Sequence, residues 1–131
     1  MELNGAIASA HETSYRNTFL TTFRTFTTAD VVFDKLTSLY RMEPPQSLNQ
    51  AEIREWKEKR LSVVQKRVLT VLTMWLEDHG LLDQEPHIAQ RLTDFLVLIV
   101  EPAPLALTAK LMLKSLERLV RWLVLETLWL C

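Results

Sequence analysis

Gly5 and Gly80 are the only two glycines in a chain of 131 residues, and beyond Asn4-Gly5 the chain has no Asn-Gly or Asp-Gly pair. Two-residue hairpin turns need positive φ at their centre and draw on such pairs, so antiparallel strands lack their usual connectors here. The same scarcity excludes a glycine-rich phosphate loop. The prolines fall in three places, Pro44-Pro45, Pro86, and Pro102 with Pro104, and they cut the chain where helices must stop or start. The expected fold class is all-α, an irregular helical bundle of about five to six helices.

The stretch T-F-L-T-T-F-R-T-F-T-T, Thr18 to Thr28, tests that expectation, because threonine and phenylalanine both favour strands. A half-buried strand would repeat its aromatics every second residue. Phe19, Phe23 and Phe26 recur at spacings of four and three, and Tyr15 extends the stripe one turn earlier, which is the period of a helix. Threonines survive on such a helix by bonding the carbonyl one turn back. Thr27 or Thr28 is then a cap for a second helix running to about Arg41, with Asp30 in its first turn and Val32, Phe33, Leu36, Leu39 and Tyr40 at helical spacing.

A loop follows from Arg41 to Ser47, and Ser47 is the candidate cap of the next helix. Glu52 to Arg60 reads as a solvated face, with Arg54/Glu58 and Glu55/Lys59 four apart and Ile53 and Trp56 turned inward. Leu61 to His79 carries Val64, Val68, Leu72, Trp75 and Leu76, with Gly80 as a left-handed cap. Glu52 to His79 fits either one helix or two. A further helix starts near Pro86 with Ile88, Leu92, Phe95, Leu96 and Ile99, and Pro102 and Pro104 end it. The last begins near Leu105, with Leu111, Met112, Leu116 and Leu119 on one side and Lys110, Lys114 and Arg118 in a row opposite. Leu119 to Leu130 is apolar on nearly every side but too short and too closely flanked by charge for a membrane span, which needs about 20 apolar residues; the segment is expected to bury against this domain's core or a neighbour.

The composition, 48% hydrophobic and 24% charged, is that of a folding chain, and 15 basic against 16 acidic residues give a net charge of −1. No field draws in phosphate backbones, so nucleic acid is not an expected partner. Cys131 is the single cysteine; it allows no intramolecular disulfide and lacks the three following residues of a prenylation signal. With no secretory leader at Met1, the expectation is a cytoplasmic location and no transmembrane segment.

Glu77, Asp78, His79, Asp83, Glu85 and His87 are the one crowd of metal-ligand residue types. They have neither the two-histidine spacing of zincins nor the alternating oxygens of a calcium loop, and a solvated loop is the better reading. His11 reads as a surface histidine. Trp56, Trp75, Trp122 and Trp129 fall on helical patterns as core anchors rather than stacking platforms. No catalytic constellation, cofactor site or metal site emerges.

Phe19-Leu20-Thr21-Thr22-Phe23-Arg24-Thr25-Phe26-Thr27-Thr28 resembles the signature of the N-terminal domain of Ras-type guanine nucleotide exchange factors, usually F-L-x-T-Y-R-x-F-T/S-T/S, with Phe23 in place of tyrosine. A second block looks like the family's later segments: Glu55-Trp56, Lys59-Arg60-Leu61, Arg67 to Leu72, and Trp75-Leu76-Glu77-Asp78-His79. The charged insert is most similar to the fungal branch, although Val63 stands where that branch often has proline. The resemblance runs from about Thr18 to Leu119. It implies a helical, non-catalytic domain that braces and regulates a separate catalytic exchange domain, in cis or trans, with a Ras-family small GTPase as a further partner and recruitment to the inner membrane surface through partners. That catalytic domain is expected to be absent from these residues.

The resulting division is 1–14, a flexible or partly helical N-terminus; 15–119, the helical domain; and 120–131, an apolar helical tail. Phe19, Phe23, Phe26, Arg24, Trp122 and Trp129 are the interface candidates, the three phenylalanines being expected in one shared apolar interface with Arg24 off that face. The alternative reading is a free-standing helical interaction module that binds a partner helix or self-associates through the tail.

Overall fold

The structure, a computed structural model, describes residues 2–130, with side chains from 12 to 129. Cys131 and the His11 side chain lie outside the described residues. Among those described there is no strand: the helices are α1 (Glu2–Thr22), α2 (Ala29–Tyr40), α3 (Gln50–Trp56), α4 (Ser62–Asp78), α5 (Leu81–Gln84), α6 (Ile88–Val97) and α7 (Ala103–Leu130). A 3-10 turn, Phe23–Thr25, closes α1. The segment 1–14 is helical from Glu2 onward and enters the signature without a break.

The threonine-rich helix forms as its period implies. The Thr21 and Thr22 hydroxyls donate to the carbonyls of Asn17 and Thr18, each at 2.7 Å, so hydroxyls that would compete with the helix instead join it. Thr28, extended at φ −116 and ψ 161, accepts the Val31 amide and caps α2. The cap of α3, however, is Asn49, whose side chain accepts the Glu52 amide at 2.9 Å. This corrects Ser47: that residue lies in a turn with Gln46, and the cap's extended backbone comes two positions later, at Asn49.

Helices α3 and α4 form one continuous run joined by a single π turn over Lys57–Leu61, in which the Ser62 amide reaches back to the Lys57 carbonyl. The reason lies in the sequence phase. A regular helix would follow half-buried Trp56 with Lys59 or Arg60 on the inner face; one extra residue in the turn substitutes Leu61 and realigns the stripe through Val64, Val68, Leu72 and Trp75. Of the two expected ion pairs on this segment, Glu55–Lys59 closes at 2.8 Å.

Gly80 adopts the left-handed conformation (φ 60, ψ 40) that ends α4 and starts the single turn α5. The sequence reading placed a loop there, whereas α5 buries both Leu81 and Leu82. Pro104 lies in the first turn of α7 rather than ending α6, since the helix already starts at Ala103.

Helix α4 is the centre of the bundle, contacting α1, α2 and α7, while α6 packs along α7. Its residues Leu69, Leu72 and Trp75 meet Leu20, Phe23, Leu81, Ile88, Leu92 and Leu96 in the fully buried core. Each such side chain contributes about 1.5–3 kcal/mol by leaving water. Phe95 is met edge-on by Phe33 and by Tyr40, at 6.3 and 5.1 Å between centroids. On α7 the inward residues are Leu105, Ala109, Met112 and Leu116. Leu111 is exposed instead, because it stands 100° around the helix from Met112.

Candidate interaction site

The signature residues divide between core and surface. Phe23 is fully buried, with Trp75 edge-on at 5.4 Å. Phe19 is half-buried and stacks on Phe23 at 6.0 Å. Phe26 touches Phe19 at 6.1 Å but is 67% exposed. The three rings are therefore in contact, yet they do not share one buried interface: the chain leaves α1 through the 3-10 turn, and the tighter winding carries Phe26 outward. Tyr15, one turn before Phe19, is exposed as well. It lines a groove between α1 and α4 with Glu12, Arg16, Arg67 and Val71, and Arg67 pairs with Glu12 at 3.1 Å across it. The outer surface of this stretch thus presents Phe26, anchored from beneath by Phe19, Phe23 and Trp75, and, one turn before Phe19, Tyr15.

Arg24 is bonded, and it lies against the aromatic ladder rather than clear of it. Its guanidinium donates to both carboxylate oxygens of Glu85, at 2.9 and 2.6 Å, and covers the Phe23 ring 4.4 Å from its centroid. A two-pronged pair of this kind fixes orientation as well as distance.

The acidic loop is not simply solvated, as the residue types suggested. Glu85 clamps Arg24; His87 bonds Asp30 at 2.8 Å; His79 bonds Asn17 at 2.9 Å; and Glu77 accepts the Ser115 hydroxyl at 3.0 Å. Arg91 joins the same band, binding Asp30 at 2.9 Å and Asp34 while lying over Phe33. The His87 hydrogen bond, with Arg91 adding to it, holds the Asp30 carboxyl below its ordinary value of 3.8 against the opposing effect of desolvation. Among the described residues no group of three potential ligands could hold a metal ion.

All of these links but Glu77–Ser115 join residues about sixty positions apart, and no local spacing announces them. Their one sequence signal was a dense set of acidic and histidine side chains beside a chain whose α1–α2 segment offers Arg24, Asp30 and Asn17 as partners.

Trp122 and Trp129 are exposed on the outer side of α7, along with Val124, Leu125 and Leu128. Among the described residues of this segment, only Leu119 and Leu123 pack against the core. Of the two burial sites open to the tail, its own domain's core is therefore ruled out for most of it. Helix α7 passes through residue 119 unbroken. Among the described residues no helix is long and apolar enough to cross a membrane.

This helical chain, with an aromatic signature locked at the end of α1, matches the family model of the RasGEF N-terminal motif over residues 6–95. The chain belongs to that family. A stretch covering 53% of it is 36% identical to Ras guanine nucleotide exchange factor I of Dictyostelium discoideum. A stretch of 50% is 32% identical to Ras guanine nucleotide exchange factor efc25 of Schizosaccharomyces pombe, and one of 47% is 36% identical to guanine nucleotide exchange factor SDC25 of Saccharomyces cerevisiae. Relatives thus include fungal exchange factors, with Dictyostelium alongside. The matched stretches span 8%, 7% and 5% of those three proteins. No solved structure matches the chain.

Proposed function

We propose that this chain is the non-catalytic structural and regulatory domain of a Ras-family guanine nucleotide exchange factor, and that it braces a catalytic exchange domain. The observation that carries this reading is the placement of Phe26. It is a large apolar side chain held in water by a rigid column of Phe19, Phe23 and Trp75. A ring presented this way loses little conformational freedom when a partner covers it, which favours binding. Tyr15 widens the patch, and the Arg24–Glu85 clamp fixes the turn from which Phe26 projects. Burying the patch against one conformation of the catalytic domain stabilises that conformation by the affinity difference between its states.

The catalytic domain belongs to the same class as in the relatives and is supplied in cis or in trans. The GTPase is a Ras-family protein, and signalling takes place in the cytoplasm. The test adds this chain to a separately expressed catalytic exchange domain and follows nucleotide release from a loaded Ras protein. The chain alone is expected to leave the release rate unchanged, and with the catalytic domain to change its rate or its melting temperature. No binding and no effect on either would end this reading.

A further inference from the structure

The outer side of α7 combines two features that the brace does not use. From Trp122 onward Trp122, Val124, Leu125, Leu128 and Trp129 are exposed, Trp129 at 87%. At 100° per residue these five sweep an arc of about 160°, wider than the apolar stripe of roughly 100° that packs one helix face. On the same arc, in the turns just before, stand Lys110, Lys114, Arg118 and Arg121. Against these four cations the segment 110–129 has two carboxylates, Glu117 and Glu126, and Glu117 is engaged by Arg121 at 2.7 Å. Lys110, Lys114 and Arg118 have no ion-pair partner among the described residues.

A second copy of this helix fits poorly. Side by side in parallel it would set cation against cation, and antiparallel it would offer Lys110, Lys114 and Arg118 of each copy one carboxylate not already paired, Glu126. A negatively charged surface that yields to the helix on several sides suits both features, since cations pair with headgroup phosphates while tryptophan and leucine enter the boundary between headgroups and acyl chains. The segment is too short and too charged to span. We infer that the outer face of α7 seats on an anionic membrane surface, with the Trp122–Trp129 end immersed at the headgroup boundary and Lys110, Lys114 and Arg118 against the phosphates. The domain then lies with α7 along the bilayer and the Tyr15–Phe26 patch on a different helix, free for a protein partner.

The test sediments the 131-residue chain with vesicles of phosphatidylcholine alone or with about 30% phosphatidylserine, an anionic content suited to a cytoplasmic leaflet. Binding is expected to be at least about tenfold tighter to the anionic vesicles, and to weaken from about 0.1 to 1 M salt as screening shortens from roughly 10 to 3 Å. Lys114→Glu with Arg118→Glu is expected to weaken anionic binding on the order of 10- to 100-fold, and Trp122→Ser with Trp129→Ser to abolish it. All four positions are exposed, so circular dichroism is expected to be unchanged; were either variant to unfold, the salt series on the unaltered chain decides. Absent or equal binding to the two vesicle types overturns the inference. So does a doubled particle mass without vesicle binding, which would assign the face to a second copy, or tail-dependent capture of the catalytic domain that vesicles do not compete with. These variants leave Tyr15 and Phe26 intact, so the nucleotide-release assay judges the brace separately.

Discussion

Phe23 and Trp75 meet edge to face, their planes at 85° and centroids 5.4 Å apart, joining the middle of the signature to the central helix. Both side chains are fully buried. Truncating Phe23 therefore removes an aromatic from a packed core, and Phe23→Ala is expected to cost about 3–5 kcal/mol. Phe26→Ser, three residues on and exposed, is expected to stay within about 0.5 kcal/mol of the unaltered chain. Urea denaturation of the two variants checks this, and equal losses would contradict the division of the signature into an anchor and a presented ring.

The Arg24–Glu85 clamp ties the turn after α1 to the segment between α5 and α6. Glu85 is largely buried, with 17% of its side chain exposed, so the pair is less screened than a free surface bridge. A double-mutant cycle with Arg24→Ala and Glu85→Ala is expected to show a coupling of about 1–2 kcal/mol. Arg24→Lys is expected to recover only part of it, because a lysine cannot repeat the two-pronged geometry.

The helix starts separate residues that look alike in sequence. Thr28→Ala and Asn49→Ala each remove a side chain that accepts an amide in the first turn and are expected to cost about 1 kcal/mol. Thr27→Ala and Ser47→Ala remove no such bond and are expected to cost less than about 0.5 kcal/mol. Melting curves of the four single variants check the assignment.

Asp30 governs a part of the acid response. Its carboxyl is held below 3.8 by His87 first and by Arg91 as well. A folded-state value below the unfolded one adds stability above pH 3.8 that is lost as the pH falls through the lower, folded value. Asp30→Asn is expected to lower the melting temperature modestly at higher pH, since the group lies at the surface, and the gap to the unaltered chain should close as the pH falls below 3.8. A gap that stays constant down the acid limb would contradict the pairing.

Much of this was legible in the residues. Spacing identified the helical period of Phe19, Phe23 and Phe26 over their strand-favouring types, and left-handed geometry at Gly80 followed from its place after a helical stripe. The π turn was legible in principle, since Lys59 and Arg60 stand where the stripe after Trp56 needs an apolar residue and Leu61 follows one place late. Other features were not. Spacing placed the three phenylalanines together without saying which would be covered, because that depends on the 3-10 turn and on Trp75, some fifty residues away. Ser47 and Asn49 are both good caps by type, and only the course of the Pro44-Pro45 loop selects between them. The Arg24–Glu85 and His87–Asp30 pairs arise from folding two distant segments together, and local spacing read Glu85 and His87 as a solvated loop.

The proposed brace is tested most directly by nucleotide release from a loaded Ras protein with a catalytic exchange domain present, comparing the unaltered chain with a Tyr15→Ser and Phe26→Ser variant of matched stability. The unaltered chain is expected to change the catalytic domain's release rate, and the variant to lose most of that change while still folding. An equal effect from both chains, or none from either, would contradict a brace that acts through this patch.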